Sequence, residues 1–530
     1  MLIPATAVSD AIEAQVVIVG AGPAGIALTL GLAKRGVDVA LLSSGAFGSD
    51  STSADLSRAQ ALPPHHADPV ALEGRRLGGL SWGWGGRCLP FDHIDFSPRP
   101  ERELPGWPIE RSDLMAHAEA AAAFLGIGSA EFQSTAGSEG LRLSLERWAA
   151  RPNLAEKHRD ALTAQDGPRV YTDLSCCGAE FDATGRVIAL QTCTAGGDPV
   201  RVTGRTFVLA AGGIETARLL LWFFAQNGQT APVWTGRGYM GHLKAQIASL
   251  DAPSQVIRQV DYQRTAECFI RNRLTLPEQT LHAKGLPNTH FWIDNPTMSD
   301  PSHGIPGLSL AHLAISSPVI GPRLLPAALR TYFAGQAPVS WRAHVRNVLR
   351  NPASALAFCY GVWTGRRSVP VSPGKVAATR HGTYRLSCAA EERPRFQNAV
   401  ILGSQRDGNG VPRAVITRDL HPDDVQGLID ANLELRSQVA SSGINVQLDC
   451  PENDLAEKIT VASGDGYHQI GTARMGCDVG SSVVDRDCRV HGTGNLYVAG
   501  SAAFPRCGQA NPTFSIACLS ARLAAHLARN

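Results

Sequence analysis

The sequence predicts an α/β fold opening on a parallel sheet. Three observations predict it. A strand, a glycine turn, a helix and a second strand follow one another near the N-terminus. Recognisable motifs return around residue 210 and after residue 467, while the middle is plain. The chain closes on a buried strand and a long helix.

The N-terminal unit comes first. Gln15 to Val19 is a short apolar run ending at Gly20, Ala24 to Lys34 reads as a helix, and Gly36 to Leu42 reads as a second strand. That β-α-β order belongs to a parallel sheet of Rossmann type. Gly20-Ala21-Gly22-Pro23-Ala24-Gly25 fits G-x-G-x-x-G between strand and helix. Gly20 permits the tight turn, Gly22 lets a pyrophosphate approach the backbone, and Gly25 lets helix and strand pack closely. The helix N-terminus offers free N–H groups and a positive dipole to phosphate. A purely structural glycine turn is the competing reading. The acidic residue expected after the second strand is missing, and Ser43 stands there. Serine hydrogen-bonds a ribose more weakly than a carboxylate. A glutamate at this position is therefore expected to tighten dinucleotide binding.

Between Ser43 and Arg76 the chain is polar and irregular, and a Gly/Trp-rich loop, "LGGLSWGWGGRCLPFD", follows. "PIERSDLMAHAEAAAAFLGI" reads as one helix of about four turns capped by Ser112. "GRVIALQT" and "RTFVLAAGG" are strand-like, with a helix, "IETARLLLWFFA", behind. "SSPVIGPRLLPAALRTYFAG" reads as a helical insertion, and the charges of "CAAEERPRFQNAVIL" read as a solvated edge. "NLYVAG" is a buried strand ending at Gly500. Asn511-Pro512 opens the last helix, asparagine as cap and proline at the first helical position.

Composition narrows the partners. The 530 residues correspond to about three or four domain equivalents. A net charge of +2, from 49 basic and 47 acidic residues, gives no overall case for nucleic acid or an anionic membrane. No apolar run approaches the roughly 20 residues of a membrane span, and the N-terminus has no signal-peptide pattern. The twelve cysteines are scattered without C-x-x-C, so no metal, haem or dithiol ligand set is read. Free thiols in a reducing cytoplasm are expected, with export alongside a partner subunit as the exception.

Together "VIVGAGPAG", "GGLSWGWGGRC", "GWPI", "FVLAAGGIETARLLL", "GRGYMGH", "HQIGTARMG", "VVDRDCRVHGTGNLYVAGS" and "ANPTFSIACLSARLA" resemble the glucose-methanol-choline (GMC) oxidoreductases, nearest their bacterial sugar- and polyol-oxidising branch. The resemblance covers nearly the whole chain. It implies a discontinuous FAD-binding domain at residues 14–100, 168–245 and 460–530. Residues 101–167 and 246–459 would form an α+β substrate domain with an antiparallel sheet, plus connecting segments. It also implies oxidation of a CH–OH group, with His468 as proton acceptor and Asn511 orienting the same oxygen. An imidazole near neutrality suits that task, and hydride would go to flavin N5. Gly85, Gly86, Gly500, Ser501, Pro512 and Thr513 would join Gly20, Gly22, Gly25 and Ser43 around FAD. Gly212 and Gly213 are read as close-approach glycines, and His242 as structural. Some relatives attach FAD to a histidine in G-G-x-S-x-H-W. Gly83 occupies that position here, so noncovalent FAD is expected. The partners implied are a small alcohol or sugar and an electron acceptor: dioxygen, a quinone or a separate haem subunit. A non-redox FAD lyase of the same fold and a natural-product alcohol oxidase are the alternatives. A pyridine-nucleotide-linked flavoprotein would need a second dinucleotide motif that is not seen.

Overall fold

The computed structural model describes all residues except 9–10, 49–53, 63–65, 135–141, 325–339, 375, 378–382, 464–466 and 530. Two large sheets organise it. The first is built around the strand Ala11–Val19, which runs parallel to Val39–Leu42 on one side and to Pro199–Leu209 on the other. Arg169–Thr172 and Leu2–Pro4 extend it in parallel. The long strand Pro199–Leu209 serves two neighbours along its free edge. Its start pairs antiparallel with Val187–Thr194, and its end pairs parallel with the closing strand Leu496–Val498. Val16 to Val19 are all buried, as expected of a parallel strand covered on both faces.

The dinucleotide helix, Pro23–Ala33, packs against the C-terminal helix Thr513–Leu527. Gly31 makes this contact close, because a Cβ there would stand 2.9 Å from the Ala524 methyl. The chain's two ends thus share one hydrophobic core.

The second sheet is antiparallel throughout. Its path runs Asn445–Leu448, Leu243–Asp251, Thr383–Ala390, Thr289–Asp294, Phe269–Thr275, Leu143–Trp148 and Arg87–Cys88. It has its own core, closed by the helix Pro422–Val439.

Three local expectations need correction. The segment after Pro108 forms two helices, Arg111–Met115 and Ala118–Leu125, separated at His117 (φ −109°, ψ 10°). Ser112 lies inside the first. Glu110 caps it instead, in a reciprocal box where Asp113 accepts from the Glu110 amide at 3.0 Å. Pro512 has helical φ and ψ, but the Asn511 side chain turns away from the helix amides toward His468. The acidic pair after Thr383–Ala390 is no solvated edge, since Glu391 and Glu392 are each 1% exposed. Glu391 accepts from Arg99 at 3.1 Å and Arg506 at 2.6 Å, and Glu392 from Arg418 at 2.7 Å and the Gly241 amide at 2.9 Å. Buried carboxylates persist only where such donors replace water. The expected insertion at 316–335 forms helix at Gly321–Leu324, and its remainder from 325 lies outside the described residues.

Against the effect of burial, Arg506, Arg102 and Arg99 also hold Glu391 well below the usual carboxylate range, at about 2. Glu391→Ala removes that charge, leaving Arg506 with carbonyl acceptors and Asp95 at 3.9 Å and Arg99 with carbonyls and Glu101 at 2.9 Å. A loss of about 3–5 kcal/mol in urea-unfolding stability is expected; a loss under about 1 kcal/mol would contradict the network's role.

Candidate active site

The dinucleotide turn distinguishes its three glycines by what a Cβ would meet. At Gly25 it would lie 1.8 Å from the Gly20 carbonyl oxygen, so only glycine lets helix and strand close. Gly20 has φ +106° and abuts the Ala210 carbonyl, so a side chain is excluded there on both counts. At Gly22 nothing lies within 4 Å. That space, beside the N-terminus of Pro23–Ala33, is where a pyrophosphate would approach the backbone. The Gly/Trp loop closes one side of this cradle, with the Gly78 amide donating to the Ala21 carbonyl at 2.8 Å. Gly500, at φ +110°, faces the Ala24 methyl from the closing strand. These features fit a dinucleotide.

Ser43 lies at the expected strand end but is 3% exposed, and its hydroxyl donates to the Gly45 carbonyl at 2.6 Å. The hydroxyl is committed within its own turn. A glutamate there would be buried beside a backbone carbonyl, which reverses the sign expected for that substitution. Gly86 has φ +82°, and its neighbours on the Cβ side are Pro152 and Ala149. Protein packing therefore already requires that glycine. Gly85 is exposed beside Trp148, and Gly83 is exposed with open space where a Cβ would go.

His468 is placed by a short antiparallel bridge. Met240 and Ile470 exchange both backbone hydrogen bonds, at 2.9 and 3.1 Å. Two residues outward from this pair, on the same face, stand His242 and His468. Their Nδ1 atoms are 2.7 Å apart, with the rings nearly perpendicular. Gly471, at φ +90°, lets the segment pass the Gly238 carbonyl. The residues around His468 are tied down in turn. Gln469 Oε1 accepts from the Gly213 and Ile214 amides at 3.0 and 3.2 Å, capping the helix Gly212–Gln226. Thr472 donates to the Gly213 carbonyl at 2.7 Å, and Ser501 to the Gln469 carbonyl at 2.7 Å. Gly213 is a close-approach glycine against Gln469, where a Cβ would be 2.6 Å from the Gln469 Cβ.

Asn511 completes the group. Its Nδ2 lies 3.0 Å from His468 Nε2. An amide nitrogen only donates, so Nε2 carries the lone pair and the neutral ring holds its proton on Nδ1, toward His242. Enclosure is the main cause that pushes His468 well below the ordinary 6.5, and Lys244, His242, Arg87 and Arg418 add to it. His468 is therefore a neutral imidazole with an acceptor nitrogen aimed at the Asn511 amide. Pro512 is buried and Thr513 partly exposed at the start of the last helix.

Sequence reasoning missed two features. His242, read as structural, touches His468. A buried cationic cluster also lies nearby. Arg87 and Arg271 both pair with Glu146, and Arg273 lies 3.5 Å from the same carboxylate. Arg87 Nη2 is 2.9 Å from His290 Nε2. The only sequence signal was the alternation Arg271-Asn272-Arg273, which puts both arginines on one sheet face. Among the described residues, no group of three His, Cys, Asp or Glu side chains could hold a metal ion.

Comparison with known proteins gives matches to family models, to curated relatives and to a solved structure. Residues 394–520 match the family model "GMC oxidoreductase", and residues 13–64 match the model "FAD binding domain". Paromamine 6'-oxidase of Streptomyces fradiae is 33% identical over 135 residues, 25% of this chain and 23% of that protein. The 6'''-hydroxyparomomycin C oxidase of Streptomyces lividus is 28% identical over 148 residues, 27% of this chain and 26% of that one. The matched segments thus span about a quarter of these relatives' lengths. The crystal structure of pyridoxine 4-oxidase from Mesorbium loti superposes with TM-score 0.53 at 15% identity, covering 97% of this chain and 99% of that one. It shares the fold.

Gly25→Ala is expected to yield insoluble or grossly destabilised protein. Gly22→Ala should keep the melting temperature of the cofactor-free protein within about 2 °C of wild type while weakening FAD binding at least tenfold by fluorescence titration. Equal FAD affinity in Gly22→Ala would remove the pyrophosphate from this turn.

Proposed function

We propose that this chain, whose residues 394–520 belong to the GMC oxidoreductases, is an FAD-dependent enzyme oxidising the CH–OH group of a sugar, glycoside or polyol. The observation that carries the reading is the neutral His468, held between His242 and Asn511, in a chain with a dinucleotide cradle. In this reading the parallel sheet and its helices, from 14–100, 168–245 and 460–530, are the cofactor half. Residues 101–167 and 246–459 supply the substrate half and connections.

Gly20, Gly22 and Gly25 would hold the pyrophosphate of FAD, while Gly85, Gly500, Ser501, Pro512 and Thr513 lie on segments that would border the rest of it. Bound FAD supplies the hydride acceptor. The chain's own residues do the acid–base work. A substrate hydroxyl that displaces the Asn511 amide from His468 Nε2 would lose its proton to the freed imidazole lone pair, with the amide donating to the same oxygen. The Nδ1 proton stays directed at His242, which fixes the ring orientation and tautomer. His242 is thus a positioning residue.

The two Streptomyces relatives are named oxidases of aminoglycosides, which favours a natural-product glycoside as a second reading of the substrate. Dioxygen is the first acceptor to test, because all three proteins compared are named oxidases; a quinone or a separate haem subunit are the other candidates. A cytoplasmic location accords with twelve cysteines that are all free thiols. No helix among the described residues is long and apolar enough to cross a membrane.

The deciding experiment mixes FAD-loaded protein anaerobically with sugars, glycosides, aminoglycosides and simple alcohols while flavin absorbance is followed. Bleaching by one class is expected. Bound flavin that dithionite reduces but no alcohol bleaches would favour the lyase. His468→Ala should keep its flavin and reduce it about 10²–10⁴-fold more slowly. Because the proton affinity of His468 is lowered, its acceptor form persists below pH 6.5. The reduction rate should be level from pH 8 to about 6.5 and fall only in more acid solution. A rate already falling from pH 8 toward 7 would exclude His468 as the base. With Gly83 at the attachment position, acid precipitation should leave all flavin in the supernatant.

A further inference from the structure

Between Asp300 and Glu391 the chain holds no acidic residue and ten of its 49 basic ones. The whole-chain balance of +2 conceals this, because the rest of the chain is net acidic. Three of its described helices are long, Pro306–Ser316, Trp341–Arg350 and Pro352–Arg367.

The second helix is inverted in polarity, and the third is apolar on its outer face as well as its inner one. Trp341–Arg350 turns His344 and Asn347 inward, where both meet the Ser309 hydroxyl at 3.1 Å. Its Trp341 and Leu349 are 57% and 70% exposed. Pro352–Arg367 packs Ala355 and Phe358 inward, Phe358 so close to Gly307 that a Cβ there would be 2.4 Å from its ring. Leu356, Tyr360 and Trp363, at successive i+4 and i+3 steps, line its outer face at 64%, 67% and 55% exposure.

Arginines border this apolar surface. Arg342, Arg346 and Arg350 follow one another at i+4, and Arg366 and Arg367 end the third helix. The Arg367 guanidinium lies 4.0 Å over the Trp363 ring, Tyr360 stacks on Trp363, and Arg342 lies 5.5 Å from the Trp341 ring. None of these five arginines forms an ion pair with a described residue.

We propose that the outer face of Trp341–Arg350 and Pro352–Arg367 docks on the surface of an anionic lipid bilayer. Large exposed apolar patches mark interaction sites. Exposed Trp, Tyr and Leu on helices that carry arginine and no carboxylate match the headgroup boundary, where aromatic rings settle and guanidinium groups meet phosphate. Like charge opposes pairing this face with itself on a second copy. The helices lie in the membrane plane and do not span it, and the proposal does not depend on the catalytic reading.

The test uses FAD-loaded protein and sedimentation with vesicles of phosphatidylcholine alone or with phosphatidylglycerol. Binding to the anionic vesicles only, weakened by salt and accompanied by a blue-shifted tryptophan emission, is expected. L356S/W363S and R346E/R350E/R366E should each bind at least tenfold less, with unchanged melting temperature and flavin content. Absence of sedimentation with either vesicle would overturn the proposal. So would equal binding by the variants, or a wild-type dimer in sedimentation velocity that becomes monomeric in L356S/W363S.

Discussion

The candidate site depends on one short backbone contact, the antiparallel exchange between Met240 and Ile470. Everything around His468 is arranged to preserve its register. Gln469 and Thr472 fasten one side to the N-terminus of Gly212–Gln226, itself the helix after the longest parallel strand. Glu392 fastens the other through the Gly241 amide, beside His242. A slip of one segment by one residue would turn its imidazole to the opposite face, away from the other. Three glycines of unrelated sequence position, Gly213, Gly238 and Gly471, permit the approach.

The two sheets are joined by charge as well as by apolar contact. Glu391 ties Arg99 to Arg506, and Glu392 ties Arg418 to the loop carrying His242. Glu146 gathers Arg87, Arg271 and Arg273 on the antiparallel sheet. Burial of so many ions adds little net stability. What they add is geometry, because each guanidinium donates in fixed directions to partners far away in sequence.

That distance in sequence explains what could be read beforehand. The dinucleotide turn, its flanking strand and helix and the closing helix rest on local patterns that residue type announces, whereas His468 and Asn511 were singled out by the family resemblance of the motifs around them. The Glu391 and Glu392 contacts were announced by neither, because a carboxylate reads as solvated until its arginine is known, and Arg99 and Arg506 lie hundreds of residues apart in the chain. His242 escaped for the same reason: its partner is 226 residues away. Ser43 was correctly placed at a strand end, but the direction of its hydroxyl depends on the local turn to Gly45. Conversely, averaging hid a feature that was legible. A charge of +2 over 530 residues suggested nothing, while a 90-residue window without one carboxylate was present throughout.

The electrostatics of the histidine pair impose a final consequence. Only one proton fits between two Nδ1 atoms 2.7 Å apart, so the tautomers of His242 and His468 are coupled. Asn511 breaks the symmetry by donating to His468 Nε2, which assigns the shared proton to His468. The neighbouring cationic side chains then oppose charging of the ring. This keeps the acceptor available at neutral pH and also makes it a weak acceptor. In the proposed reaction such a base would complete proton transfer only where negative charge on the substrate oxygen is drawn away as it forms, which oxidation of the attached carbon would do. An alcohol that cannot be oxidised would be bound and oriented there without losing its proton.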